Sequence, residues 1–500
     1  MAIIVPIYVD NVYSRATITN RILGDILVRT LAFESENFKY SRAYKTGKWD
    51  GRTRFGKYSY PEFYFPTGLL LHVVKILHKN KIKPMFKDLR VKPMKQFAAQ
   101  LNTDKYDERE YQKYAICKSI KEERGIIELP TSAGKTFVLG GICAELGVPT
   151  MVLVNTKDLF IQTARSLMDL LQLDDIGIIG GGNLEPSKFI NVGILQTLGS
   201  LQRTDKGIFN AITKDIKCLI VDEVHHVNAK AKMFRNVCEA IPAYYRYGMS
   251  ATPRHDPNSF KAQDAATVAV FGPTIVNVPK RELIEQGYLV PVEIEWVTYD
   301  STAPIRDRAD YMALAAVRLG EAQQNQIAVA AYQDACKDCI YDNDGRNAAI
   351  QHMFEKYPNE QILVMVTSID YGTKLAEMLG CPFVNGSTDD VLRAMYYKDF
   401  KSGKLRKLVA TKIYSEGVSF ENLGVVILAE PFKSHILTVQ KIGRLMRLAE
   451  GKERGILVDF NDSTLPFFSK QCKIRYDTYV NEGCKIHLYN AKEALYGTSR

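Results

Sequence analysis

Residues 126–136 read IIELPTSAGKT and residues 218–225 read CLIVDEVH, and these two stretches decide the fold. Each is a short apolar run that ends in a turn carrying charge. In the first, PTSAGKT at 130–136 follows the run Ile126–Leu129 and precedes a helical pattern. Strand, tight loop and helix is the context that a phosphate-binding loop requires. The backbone amides of Thr131, Ser132, Ala133 and Gly134 and the helix N-terminus would face the phosphates. Lys135 would reach their outer oxygens, and the Thr136 hydroxyl would ligate Mg²⁺. Taken alone, GKT also reads as an incidental turn, and Leu129 stands where the general pattern has Gly.

The second stretch sharpens the first. Adjacent carboxylates at the end of a buried strand must be solvated, paired or bound to metal. Asp222 would hold the Mg²⁺, and Glu223 would orient and deprotonate an attacking water. By itself a DE pair at a strand end also reads as a helix N-cap. A third stretch, QKIGRLMR at 440–447, places Arg444 and Arg447 three apart, which predicts one shared helical face. Such a pair suits the charge that spreads over γ-phosphoryl oxygens, and its bland counterpart is a solvated basic face.

Outward from these stretches the texture repeats. Apolar runs at Met151–Val154 and Val192–Leu195 alternate with helical segments, and so do Ile362–Val366, Leu408–Ala410, Val425–Ala429 and Ile456–Phe460. That alternation predicts an α/β class with helix-covered parallel sheets. It also divides the chain into domains at 101–280 and 281–465, a small α+β domain at 1–100 and an extension at 466–500 packed on the second sheet domain. A long helical pattern is expected from about Asp310 to Tyr341.

In order, the chain carries REYQ at 109–112, PTSAGKT, LVNTKDLFIQ at 153–162, ILQTL at 194–198, DEVH, SATP at 250–253, ILVMVTS at 362–368, TKIYSEGVS at 411–419 and QKIGRLMR. This series resembles the motifs of superfamily 2 helicases and translocases, and within them it is most similar to the UvsW-like and XPB-like DNA helicases. GKWDGR at 47–52 and PTGLL at 66–70 resemble the accessory domain of the phage UvsW helicases. The resemblance implies two tandem RecA-like domains, an ATP site with Mg²⁺, and DNA as partner. It implies that Gln112 recognises adenine, that His225, Ser250 and Thr252 couple the nucleotide to the rest of the motor, and that Gln440, Arg444 and Arg447 close over the γ-phosphate. Thr156, Thr197 and Thr411 would touch the tracked strand. Ser132 departs from the usual Gly, and Ser419 from an Asp that many relatives carry.

The chain has 500 residues and a net charge of +10. From Lys39 to Lys95 there are 15 Lys and Arg against three acids, an excess of +12, so the remainder nets −2. A concentrated basic region fits a polyanion partner or a solvated face. Lys45, Lys48, Arg52 and Arg54 are the candidate DNA contacts there, and Trp49 reads either as a base-stacking residue or as a buried anchor. One CxxC, at Cys336 and Cys339, cannot complete a tetrahedral zinc site. Scattered cysteines, no signal peptide and no membrane-length apolar run predict a cytoplasmic protein. The expected function is ATP-dependent remodelling of branched DNA, such as forks, junctions and R-loops. Its alternatives are a duplex translocase, a helicase acting on RNA or RNA–DNA hybrids, and a DNA-binding scaffold without turnover.

Overall fold

The apolar runs form parallel strands, and the amphipathic segments between them form the covering helices. The computed structural model describes residues 4–496, apart from 37, 228–231, 255–258, 320–323, 412–419 and 433–434. The chain divides into two units, Met1–Pro279 and Lys280–Arg500.

In the first unit the main sheet has eight strands. Their order is Asn183–Glu185, Gly177–Gly180, Ile190–Ile194, Thr150–Val154, Cys218–Asp222, Tyr245–Ser250, Arg124–Glu128 and Thr274–Asn277. All neighbours are parallel except the first pair, a hairpin that turns through Gly181 and Gly182. The central strands are buried on both faces, which is why they read as unbroken Val, Ile and Leu. Parallel strands deliver every following loop to one edge of the sheet, so 130–136, 222–226 and 250–253 meet there.

The amino-terminal residues build a separate five-stranded sheet, ordered Lys57–Ser59, Glu62–Pro66, Tyr13–Thr17, Ile4–Val9 and Lys83–Asp88. Strand Ile4–Val9 alternates buried and exposed positions, as one face packs inward and the other meets solvent. The inner face does not close on itself. Its core of Ile7, Leu27, Phe63, Phe65 and Leu77 is completed by Ala265, Ala266 and Ala269 of helix Ala262–Phe271, which belongs to the larger sheet's cover. Gly68, within the PTGLL segment, makes this closeness possible. A Cβ there would fall 2.0 Å from the Val268 carbonyl oxygen and 2.6 Å from that of Ala269.

The second unit has seven parallel strands, ordered Phe383–Val384, Lys407–Ala410, Gln361–Met365, Leu423–Leu428, Gly455–Phe460, Val292–Thr298 and Lys485–Asn490. Residues 466–500, expected as an extension, supply helix Pro466–Asn481 and the edge strand Lys485–Asn490. Two ion pairs without solvent access fix this unit. Arg346 Nε donates to Asp462 Oδ1 at 2.7 Å, and Arg475 Nε donates to Asp459 Oδ2 at 2.7 Å. The long helical pattern from Asp310 is two α-helices, Arg308–Leu319 and Gln324–Cys336, followed by a π-helical turn at Lys337–Tyr341.

The Gly68 contact makes a stability prediction. Gly68→Ala would force the amino-terminal sheet away from helix Ala262–Phe271, and overpacking of this kind costs about 1–3 kcal/mol. Urea unfolding followed by circular dichroism should show a lower midpoint at unchanged slope; an unchanged midpoint would mean that the two backbones do not touch.

Candidate functional site

The phosphate-loop residues and the two carboxylates lie side by side. Lys135 Nζ donates to Glu223 Oε1 at 2.7 Å, with side chains only 13% and 15% exposed. Burial works against the Lys135 charge, but Glu223 and Asp222 outweigh it and raise its pKa. Burial likewise opposes the Glu223 carboxylate, yet Lys135 and His225 hold its pKa down to about 2. Asp222, which lacks so close a cation, is pushed up by burial to about 6. Its Oδ1 accepts from the Glu223 amide at 2.9 Å.

The backbone here is strained on both sides of that pair. Ser132 has φ 72° and Glu223 has φ 50°, in the left-handed region that L side chains avoid. The positive φ at Ser132 explains why Gly is usual at this position. Helix Lys135–Leu146 begins after Gly134, φ 76°, with no side chain capping its first turn. Those first-turn amides, pointing along the helix axis at its positive end, form an anion cradle. The Thr131 Oγ1 and Thr252 Oγ1 are buried with no hydrogen-bond partner among the described residues. A carboxylate and a hydroxyl, Asp222 and Thr136, are the oxygen donors that Mg²⁺ prefers.

His225, Ser250 and Thr252, expected to couple the nucleotide to the motor, form a chain of contacts. Ser250 Oγ donates to Glu223 Oε2 at 3.2 Å, lies 3.0 Å from His225 Nδ1 and accepts from the Thr252 amide at 3.0 Å. Gln112 is 3% exposed. Its Oε1 accepts from the Arg109 amide at 3.1 Å, and its Nε2 donates to the Ala133 carbonyl at 3.2 Å. The amide thus ties the start of helix Glu110–Glu122 to the loop at Ala133.

Thr156 and Thr197 come to one edge, because the strands that precede them, Thr150–Val154 and Ile190–Ile194, are paired neighbours. Thr156 caps helix Lys157–Leu171, accepting from the Leu159 amide at 3.3 Å, and Gln196 Nε2 donates to Asn155 Oδ1 at 2.9 Å between the two loops. In the second unit Thr411 is 8% exposed, and its amide donates to the Val384 carbonyl at 3.0 Å. The rest of TKIYSEGVS, with Gly417 and Ser419, lies outside the described residues.

Arg444 and Arg447 do not share a helical face. Helix His435–Leu445 ends before Arg447, because the chain turns to give the Met446 carbonyl to the Val290 amide at 2.9 Å. Arg444 is 8% exposed and Arg447 is half-buried, while Gln440 is 7% exposed with its Oε1 unpartnered among the described residues. Lys441, which the sequence reading passed over, lies with Nζ 3.7 Å from the Phe432 ring centroid. Burial pushes its pKa down to about 7. A motif lysine with no acid nearby in sequence carries no sign of such burial.

On the amino-terminal domain, Lys45, Lys48, Arg52 and Arg54 are all exposed. Arg54 pairs with Asp50 at 2.5 Å, whereas Lys45, Lys48 and Arg52 make no ion pair among the described residues. Trp49 is half-buried and anchors its own turn, donating Nε1–H to the Arg52 carbonyl at 2.8 Å.

Residues 105–255 match the family model of the type III restriction enzyme res subunit, and residues 345–449 match the helicase conserved C-terminal domain. The chain is 25% identical to the DNA 3'-5' translocase XPB2 of Sulfurisphaera tokodaii over 69% of its own length and 79% of that protein. It is 24% identical to the ATP-dependent DNA helicase uvsW of Enterobacteria phage T4 over 86% of its own length and 85% of that protein. Three further relatives are matched over only 52%, 54% and 59% of their length. Among solved structures, the DNA-bound Type ISP restriction-modification enzyme LlaBIII shares the fold, with TM-score 0.55 and 13% identity over 84% of this chain and 36% of that one. Two family models that follow one another in chain order, together with relatives named as a DNA translocase and a DNA helicase, place this chain among the superfamily 2 helicases.

Proposed function

We propose that the chain is an ATP-driven DNA helicase or translocase that remodels branched DNA, forks, junctions and R-loops among them, in the cytoplasm. The observation that carries this reading is the Lys135–Glu223 contact at 2.7 Å beside an uncapped helix N-terminus and a half-buried Asp222. In the resting site Glu223 is a poor base, since Lys135 holds its pKa down against burial. A triphosphate in the cradle competes for the same ammonium. Once Lys135 turns to the phosphates, the Glu223 pKa rises and its carboxylate is free to orient and deprotonate water. Thr136 and Asp222 would hold Mg²⁺, which neutralises phosphate oxygens when bound. The Asp222 carboxylate, otherwise penalised by burial, gains its counter-charge that way.

Gln440, Arg444 and Arg447 would then answer the γ-phosphoryl charge, and the threonines at 156, 197 and 411 would follow the strand. Lys45, Lys48 and Arg52, exposed and without ion pairs among the described residues, would grip duplex or branched DNA outside that track. The uvsW relative, whose alignment reaches 86% of this chain, supports a role for the amino-terminal domain in the same activity. No helix among the described residues is long and apolar enough to cross a membrane.

Three measurements test this reading. Lys135→Ala should abolish DNA-stimulated ATP hydrolysis while DNA affinity, read by fluorescence anisotropy, is kept; normal turnover would overturn the site. Arg447→Ala should lower kcat far more than it raises the Kd for ATP, because the contact forms mainly in the transition state. The reverse pattern would assign Arg447 to ground-state binding. Replacing Lys45, Lys48, Arg52 and Arg54 together by Ala should weaken fork binding and flatten its salt dependence by about 0.9 per lost phosphate contact. An unaltered salt slope would return this region to a solvated face.

A further inference from the structure

The two loops that meet at Glu223 each run into a helix that the amino-terminal domain holds. Among the described residues, Lys232–Ala240 is the first α-helix after the Glu223–His225 turn, and Ala262–Phe271 is the first after Ser250–Thr252. Tyr13 donates to Glu239 Oε2 at 2.8 Å, Asn11 Nδ2 donates to the Pro242 carbonyl at 3.1 Å, and Arg235 lies 5.8 Å from the Phe55 ring centroid. On the other helix, Ala265, Ala266 and Ala269 enter the amino-terminal core. Phe260, just before that helix, stacks on His72 with centroids 5.7 Å apart and meets Phe33 edge-on at 5.4 Å.

One hydroxyl joins this arrangement to the nucleotide site. Thr267, 1% exposed, donates Oγ1–H to the Val227 carbonyl at 2.8 Å. Val227 closes the turn that carries His225, which touches Ser250, which donates to Glu223. Packed elements of this kind move as bodies and do not deform continuously. A continuous line of contacts thus runs from helix Ala262–Phe271 to Glu223 through Thr267, Val227, His225 and Ser250.

We propose that the amino-terminal domain sets how strongly DNA stimulates ATP hydrolysis by positioning helix Ala262–Phe271, with Thr267 as the positioning residue that passes the state of that domain to the Glu223–His225 turn. This rests on the ATPase reading above and adds to it how DNA bound on the amino-terminal domain regulates chemistry at the end of the larger sheet. Thr267 touches neither nucleotide nor DNA, and its effect is on coupling.

The test uses the full chain with a forked DNA, comparing basal and DNA-stimulated ATPase and DNA affinity in wild type, Thr267→Val, Thr267→Ser and Phe260→Leu. Thr267→Val keeps the shape of the side chain and removes the donor. It should leave basal turnover and DNA affinity in place while cutting the stimulation factor about five-fold or more. Thr267→Ser, which keeps the hydroxyl, should restore it. Phe260→Leu, which loosens the contact with His72 and Phe33, should lower the same factor from the amino-terminal side. A Thr267→Val protein that loses basal and stimulated turnover equally has a local structural role only, and the proposal falls. It falls as well if stimulation is unchanged in both Thr267→Val and Phe260→Leu. Absence of any ATPase in wild type overturns the ATPase reading itself, and the proposal with it.

Discussion

A guanidinium shut off from solvent sits near the foot of the strand that ends in Ser250. Arg246, 0% exposed, donates to the Ile241 carbonyl at 2.8 Å, the Cys238 carbonyl at 2.5 Å and the Val270 carbonyl at 3.1 Å. Burial lowers its pKa to about 10, so its charge persists at neutral pH and has to be answered by these three oxygens. They lie at the carboxyl ends of the two helices that follow the Glu223 and Ser250 loops, where the helix dipole favours a cation. Hydrogen bonds to a charged group contribute about 1.5–3 kcal/mol each, so this one residue fixes both helices to the sheet from below. The opposite edge of the same sheet is thereby free to carry strained backbone and closely spaced charge.

That division of labour is visible in the conformations. Ser132 and Glu223 stay in the left-handed region because their neighbours are locked, Gln112 holding the loop at Ala133 and Gly248 packing under Val224. The close pairing of Lys135 with Glu223 gives each charge its nearest partner, with Asp222 beside Lys135 and with His225 and Ser250 beside Glu223. The second unit solves the same problem differently. Its Arg346–Asp462 and Arg475–Asp459 pairs are structural, each carboxylate also accepting from a tyrosine, Tyr299 or Tyr479.

Much of the fold, and the meeting of the loop at 130–136 with the two carboxylates, was legible because each depends on local rules. An unbroken Ile, Val and Leu run bounded by turn residues has few other solutions than a buried parallel strand, and a phosphate loop is read from backbone requirements that Gly134, Lys135 and Thr136 satisfy in sequence. What escaped depends on contacts between distant segments. Ala265, Ala266 and Ala269 read as ordinary helix formers, and only the fold shows them filling the core of a different sheet. Thr267 gives no local sign. Arg246 did give one, a charge within the otherwise apolar strand YRYGMS, and only its three acceptors explain it. The spacing of Arg444 and Arg447 suggested a common helical face, but a spacing rule holds only while the helix lasts, and the Val290 amide ends it.

The shared core has a consequence for how the chain is made. The first ninety or so residues contain all five strands of the amino-terminal sheet, so a nascent chain of that length has every backbone partner it needs. It lacks the three alanines that cover the inner face, and these are synthesised only after the nucleotide loop and the DEVH strand. During vectorial synthesis the basic sheet must wait, partly open, until most of the first motor domain has emerged. Sequence adjacency suggests a domain that folds first and is carried along; the packing makes it one that finishes folding together with the sheet it sits on.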